Sequence, residues 1–188
     1  MPIESISDAR GYFQERLSTA LSELGVVAEP HTEHYLVELL AAGQKGAVAT
    51  PDQPLVHRLQ AAIEARDRRE RLRSFRETGD AALYTSGFFA EHLQKRGLSH
   101  DYYVELGARA YQAASELCGR RADVYHQLGA QFDDYAKVLE EVRESTVLRT
   151  PQDIVRLYDR WRRTRSPRLA ARLHAAGVFP QIPKDDVH

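Results

Sequence analysis

The stretch ADVYHQLGAQFDDYAKVLEEVRE, residues 122–144, decides the fold class. Its large apolar side chains recur three and four residues apart, which is the repeat of one buried face on an α-helix. The stretch lacks the alternation of apolar and polar residues that a half-buried strand requires. We therefore predict one amphipathic helix over residues 122–144, buried on the side that carries Tyr125, Leu128, Phe132, Tyr135 and Leu139.

The same spacing continues along almost the whole chain. It predicts an all-α protein, a compact irregular bundle of about seven to eight helices with a C-terminal helical hairpin. Glycines mark most of the predicted helix ends. In particular, a helix that begins at Thr50 and Pro51 is expected to be interrupted at Gly79, and Asp80 is then placed to cap the next helix.

The composition turns basic near residue 147. We expect a helical bundle core over residues 1–146, followed over residues 147–188 by a basic helical hairpin and an extended tail. The pattern leaves open whether the hairpin is an appendage or part of a single domain. It also leaves open whether the chain forms a homodimer, although amphipathic helices often leave an apolar stripe for a twofold partner.

The composition excludes several classes of protein. The 188 residues include 26 Lys and Arg and 27 Asp and Glu, so the net charge is −1, whereas a dedicated nucleic-acid-binding domain has a pI above about 9. A single cysteine, Cys118, excludes an internal disulfide and a cysteine-based zinc cluster. Because no apolar run approaches the roughly 20 residues of a membrane helix, we expect a cytoplasmic protein without membrane association.

The segment between Val147 and Ala175 departs most clearly from neutrality, because it contains eight arginines and only two aspartates. Arginine suits bidentate contact with carboxylate or phosphate, and Tyr158 and Trp161 interleave with the arginines. An acidic protein is the expected partner, and nucleic acid is the second choice. In the alternative interpretation these arginines form a solvated face that pairs with Glu140, Glu141 and Glu144, while Trp161 anchors the hairpin. The predicted partner-binding residues are Arg156, Arg160, Trp161, Arg162, Arg163, Arg165 and Arg168.

A second candidate site combines polar and aromatic residues from several helices. Two glycines bracket the segment GDAALYTSG at residues 79–87, which favours a bend that lines a ligand pocket. Asp101 and Glu105 are four residues apart, so a helix places both carboxylates on one face, although the same spacing is common on solvated helices. The candidate pocket residues are Glu33, His34, Asp80, Tyr84, Asp101, Tyr102, Glu105 and His126.

No catalytic motif accompanies these residues. The chain has no Glu-x-x-His step of the kind used in helical di-iron sites, no His-Glu-x-x-His and no phosphate-binding glycine loop. We therefore predict a non-enzymatic interaction or regulatory protein without a metal or other cofactor, which binds an acidic partner through its arginine-rich C-terminal face. The alternative is a metal-dependent or small-ligand-binding helical enzyme of the haem-oxygenase-like or di-iron kind, which uses the candidate pocket.

Overall fold

The computed structural model describes residues 4–48, 54–90, 93, 99–119, 122–147, 151–175 and 178. Within these ranges the chain is all-α, with nine helices and no strand, which confirms the predicted fold class. The helices are α1 (Glu4–Leu24), α2 (Pro30–Gln44), α3 (Leu55–Glu64), α4 (Arg68–Phe88), α5 (His100–Leu117), α6 (Ala122–Ala130), α7 (Phe132–Val147), α8 (Pro151–Thr164) and α9 (Pro167–Ala175). None of these described helices is both long enough and apolar enough to cross a membrane.

The chain divides into two compact units, Met1–Arg143 and Glu144–His188. In the first unit α5 packs against α4 and α6, α3 packs against α4, and α1 packs against α2. The five side chains predicted to be buried along residues 122–144 all belong to the core of this unit. Burial of such a stripe is the main source of helix stability in proteins, so the apolar spacing positions these elements.

The segment that carries this stripe forms two helices instead of the single predicted one. α6 ends at Ala130 and α7 begins at Phe132. The amide of Gln131 still donates to the carbonyl of Gln127 at 3.0 Å, so the departure from regular helix is confined to this one position. It follows Gly129, a residue type that weakens a helix by about 1 kcal/mol relative to alanine.

The prediction of a helix break at Gly79 is wrong. α4 runs without interruption through Gly79 and Gly87, and it begins instead at Arg68, where the side chain of Asp67 caps the amides of Arg69 and Glu70. The predicted start at Thr50 and Pro51 lies outside the described residues.

The glycines of α4 and α5 allow these helices to pack closely. A Cβ atom built on Gly79 would lie 2.7 Å from the ring of Tyr111, and one built on Gly107 would lie 2.3 Å from the ring of Phe132. These distances are far below ordinary van der Waals contact. The glycines are therefore packing positions, whereas the sequence pattern suggested helix ends.

The second unit has a small apolar core of its own. Leu157 and Trp161 of α8 pack with Leu169 and Leu173 of α9. α8 is followed by Arg165, whose φ of 52° lies in the left-handed region that glycine usually occupies, and the Arg165 amide donates to the carbonyl of Trp161 at 2.7 Å. This turn separates the two helices of the predicted C-terminal hairpin.

Candidate functional site

The outward side of α8 is rich in arginine. At about 100° per residue, the exposed positions between Val155 and Arg163 fall within a sector of about 120°, whereas Leu157 and Trp161 face the core of the second unit. Arg156 and Arg163 lie seven residues apart on this sector, close to two helical turns. The exposed residues of the sector are Val155, Arg156, Asp159, Arg162 and Arg163.

Four exposed arginines of the second unit have no partner among the residues that the structure describes. They make neither an ion pair nor a hydrogen bond with any described residue. We call them the open arginines, and they are Arg156, Arg162 and Arg163 of α8 and Arg168 of α9.

The other three predicted partner-binding residues are engaged in contacts within the second unit. Arg160 donates to Glu144, which also accepts from Arg172, and the Glu144 side chain is only 14% exposed. Trp161 is 4% exposed and forms part of the apolar core. Arg165 is exposed, but its guanidinium lies over the Trp161 ring at 4.9 Å, a favourable cation–π arrangement.

Formal charge is divided unevenly between the two units. Residues 144–188 hold nine of the 26 Lys and Arg residues and five of the 27 Asp and Glu residues, which gives this unit a charge of +4. Residues 1–143 therefore carry −5, and the chain as a whole is nearly neutral. The composition of the whole chain conceals this difference between the units.

In the first unit the candidate pocket residues do not converge on one site. His34, Asp101, Tyr102 and His126 are exposed on three different helices. Glu33 accepts a hydrogen bond from Gln14 at 2.5 Å, and exposed Glu105 pairs with Arg109 on its own helix at 2.6 Å. Within the described part of the chain, no group of three or more His, Cys, Asp or Glu side chains could hold a metal ion.

Asp80 and Tyr84 of the candidate set lie in the interior of α4, and Asp80 is not the helix cap that the sequence suggested. Tyr84 is buried and stacks on Phe88, with ring centroids 4.7 Å apart. It contacts the Gly43 region of α2, where a built Cβ would lie 2.1 Å from the Tyr84 ring. Tyr84 therefore has a packing role.

Asp80 is held by two phenol groups from other helices. The hydroxyls of Tyr35 and Tyr111 both donate to its Oδ1 atom, at 2.5 and 2.8 Å. Its Oδ2 atom lies 3.9 Å from Nε of Arg76, which is an ion pair without a hydrogen bond. The rings of Tyr35 and Tyr111 also meet edge to face, with centroids 6.4 Å apart, so these groups form one packed cluster.

Burial dominates the proton affinity of this cluster. Desolvation raises the pKa of Asp80 above its ordinary value of 3.8, although the hydrogen bonds from Tyr35 and Tyr111 and the charge of Arg76 oppose this rise. Burial, followed by the nearby Asp80 charge, also raises the pKa of both tyrosines well above its ordinary value of 10. The phenols therefore remain protonated donors at neutral pH.

The sequence contained no local signal for this cluster. Tyr35 lies 45 residues before Asp80, and Tyr111 lies 31 residues after it. Spacing along a single helix identifies neighbours three or four residues apart, but it does not identify partners from different helices. Tyr35 and Tyr111 each lie on the apolar stripe of their own helix, which indicates burial but does not identify a shared partner.

An open cleft of about 420 Å³ lies beside Asp80 in the first unit. Its apolar wall comes from α2 and the segment that follows α2, and its charged wall comes from α3 and α4. Arg58 and Arg76 each have a buried Nε without a hydrogen-bond partner among the described residues. The lining residues are Tyr35, Glu38, Leu39, Ala42, Ala47, Val48, Arg58, Arg76, Glu77 and Asp80.

The fold and these two sites define a class: an all-α protein with an open arginine surface on one unit and a charged cleft in the other. Comparison with known proteins adds no narrower assignment. No protein-family model matches the chain, and neither a curated protein nor a solved structure matches it significantly.

Proposed function

We propose that the protein acts by binding an acidic protein segment through the open arginines of its second unit, without catalysis of its own. The observation that carries this proposal is the presence of four exposed arginines that have no partner among the described residues. Glu144 is already occupied by Arg160 and Arg172, and exposed Asp159, which lies in the same sector, makes no ion pair with any described residue. The remaining positive charge attracts an acidic partner and steers its approach.

The surroundings of the open arginines favour a protein partner over single-stranded nucleic acid. Proteins that bind single strands stack bases on accessible aromatic rings. Here Trp161 is buried and Tyr158 is only partly exposed, so neither offers a free ring face beside the arginines. Val155 is 60% exposed within the same sector and supplies an apolar contact. An amphipathic acidic helix that carries both carboxylates and an apolar side chain fits this combination.

The proposal is tested with a fluorescein-labelled helical peptide that carries glutamates and leucines on one face. We expect saturable binding in fluorescence anisotropy, and we expect R156E/R162E/R163E to weaken it about 30-fold. Three exposed pairs at about 0.7 kcal/mol each correspond to about 2 kcal/mol in total. Arg160 is left unchanged because its pairing with Glu144 supports the unit.

The matched control is K45E/R66E/R69E, which makes the same charge change at exposed positions of the first unit. Equal losses in the two triple variants would show that binding follows net charge alone, and the proposal would then be wrong. Preferential binding of a single-stranded oligonucleotide, with a steep loss of affinity as salt increases, would favour the nucleic-acid alternative. Circular dichroism of every variant checks that the helices are retained.

We also propose a cytoplasmic location for the protein. A second copy of the chain could supply the acidic segment, because its first unit has a charge of −5, and the protein would then form a homodimer. Sedimentation equilibrium at low and high salt separates this case, since a dimer formed by such contacts dissociates as salt increases.

A further inference from the structure

The cleft in the first unit is lined by a positively charged side chain, Arg58, that no described residue neutralises. Arg58 of α3 lines the cleft and makes neither an ion pair nor a hydrogen bond with any described residue, and its Nε is buried. A buried guanidinium nitrogen without a partner is costly, because its lost hydration is not replaced. The buried Nε is out of reach of a ligand, but the Nη nitrogens of the same guanidinium are not buried and can contact an anion in the cleft.

The neighbouring arginine is also incompletely satisfied. Nε of Arg76 is buried and makes no hydrogen bond with any described residue. It lies 3.9 Å from Oδ2 of Asp80, and Nη2 of the same guanidinium lies 3.9 Å from Oε1 of Glu77. Guanidinium groups bind a carboxylate through two parallel hydrogen bonds. Two arginines that face one cleft with open donors therefore point to a carboxylate ligand.

Among the described residues, no carboxylate at the edge of the cleft pairs with Arg58, although Glu77 and Asp80 lie 3.9 Å from Arg76. Glu38 pairs with Arg10 at 2.7 Å, and Glu77 pairs with Arg73 at the same distance. Asp80 uses Oδ1 to accept from the two tyrosines, while its Oδ2 makes no hydrogen bond within the described residues. Oδ2 is therefore an available acceptor for an N–H or O–H donor on a ligand in the cleft.

The cleft also has an apolar lining. Leu39 and Ala42 of α2, together with Ala47 and Val48, provide a hydrocarbon surface in the same cleft as the charged groups. Ligand sites commonly combine such a surface with a few convergent polar groups that fix orientation. The volume of about 420 Å³ lies within the usual range for small-molecule sites.

We propose that this cleft binds a small α-amino or α-hydroxy acid with an apolar side chain. Its carboxylate contacts Arg58 and Arg76, its amino or hydroxyl group donates to Oδ2 of Asp80, and its side chain packs on Leu39, Ala42 and Val48. This site lies wholly in the first unit and does not depend on the open arginines of the second unit.

The proposal is tested by isothermal titration of the full chain with L-leucine, L-phenylalanine and their 2-hydroxy analogues. We expect saturable binding by at least one of the four, and loss of binding by the corresponding amide, which lacks the carboxylate. The N-acetyl derivative of the same amino acid should bind at least about tenfold more weakly, because the blocked nitrogen is bulkier and no longer an ammonium donor to Asp80.

R58Q should weaken the acid at least about tenfold, since it removes the unpaired charge while retaining a polar side chain. Arg58 has no described partner, so the substitution should leave the circular dichroism spectrum and the melting temperature unchanged. R69Q is the matched control, because Arg69 is exposed and lies outside the cleft.

Three outcomes would overturn the assignment. These are absence of saturable binding by all four acids up to about 10 mM, equal affinity of the wild type and R58Q, and preference for inorganic phosphate over every carboxylate. At 10 mM the affinity would correspond to less than about 3 kcal/mol, too weak for a built site.

Discussion

Asp80 shows how a single side chain can depend on groups that are remote in the sequence. Its carboxyl group accepts from Tyr35 and Tyr111, and it lies beside Arg76 on the same helix. The sequence predicted a helix cap at this position because aspartate follows glycine there. The packing of α4 against α5 keeps the helix continuous at Gly79, and the aspartate consequently lies inside the unit.

The first prediction concerns the phenol partners of Asp80. Asp80→Ala removes the acceptor of two hydroxyls, so it should lower the free energy of unfolding by about 2 kcal/mol. Asp80→Asn retains an acceptor oxygen and removes the desolvated charge, so the loss should be below about 1 kcal/mol. Urea unfolding followed by circular dichroism measures both values. A larger loss in Asp80→Asn than in Asp80→Ala would contradict this account of the cluster.

The stability difference between the wild type and Asp80→Asn should also depend on pH. Because burial raises the pKa of Asp80 above 3.8, the folded state holds this proton more tightly than the unfolded state. The resulting stabilisation is fully present below pH 3.8 and is lost as pH rises through the folded-state pKa. Stability of the wild type relative to Asp80→Asn should therefore increase as pH falls through this window. A decrease would mean that the hydrogen bonds from Tyr35 and Tyr111, together with the charge of Arg76, outweigh burial.

At the scale of helices, the apolar spacing predicted correctly which residues form the core of α6 and α7. Tyr125, Leu128 and Phe132 are buried as expected, because burial of one helical face follows from a repeat that the sequence displays directly. The structural role of a glycine cannot be predicted from the apolar spacing in this way. Gly79 and Gly107 could equally end a helix or admit a neighbour, and only the position of the second helix decides between these roles.

The next prediction tests the close packing of α5. Gly107→Ala places a methyl group 2.3 Å from the Phe132 ring and 2.7 Å from Cβ of Ala82, so it should destabilise the protein by about 1–3 kcal/mol. Gly11→Ala is the control, because Gly11 is an exposed residue of α1 with open space around its Cβ position. The control should stabilise by up to about 1 kcal/mol through helix propensity. The melting temperatures of both variants measure these changes in stability. A higher melting temperature for Gly107→Ala than for the wild type would contradict the close packing described for α5.

Glu144 provides a corresponding test for the second unit. Glu144→Ala leaves Arg160 and Arg172 without this shared carboxylate, and the pairs are intermediate between exposed and buried. We expect a loss of about 2 kcal/mol, between the values typical of surface and buried ion pairs. Trp161 is the only tryptophan and belongs to this core, so its fluorescence reports unfolding of the unit. An unchanged urea midpoint in tryptophan fluorescence would show that these ion pairs contribute little.

On the scale of the whole molecule, the sequence predicted the basic C-terminal segment but not the separate role of each arginine. The pattern of α8 did not distinguish Arg160, which pairs with Glu144, from Arg163, which has no described partner. Trp161 looked like part of a binding face, whereas the apolar core of the second unit requires it. Whether an arginine pairs with a carboxylate depends on the positions of both side chains in three dimensions. The open arginines could therefore be distinguished from the paired ones only in the structure.

The central claim is that the outward side of α8 binds an acidic protein segment, and photocrosslinking from Val155 tests it most directly. A benzoylphenylalanine at this exposed position lies in the sector that also contains Arg156 and Arg162. In nuclease-treated lysate of the source organism, we predict a discrete crosslink whose peptide, sequenced by mass spectrometry, is rich in Asp and Glu. The crosslink should disappear in R156E/R162E/R163E and persist in K45E/R66E/R69E. A crosslinked peptide without acidic residues, or a crosslink that survives R156E/R162E/R163E, would contradict the claim.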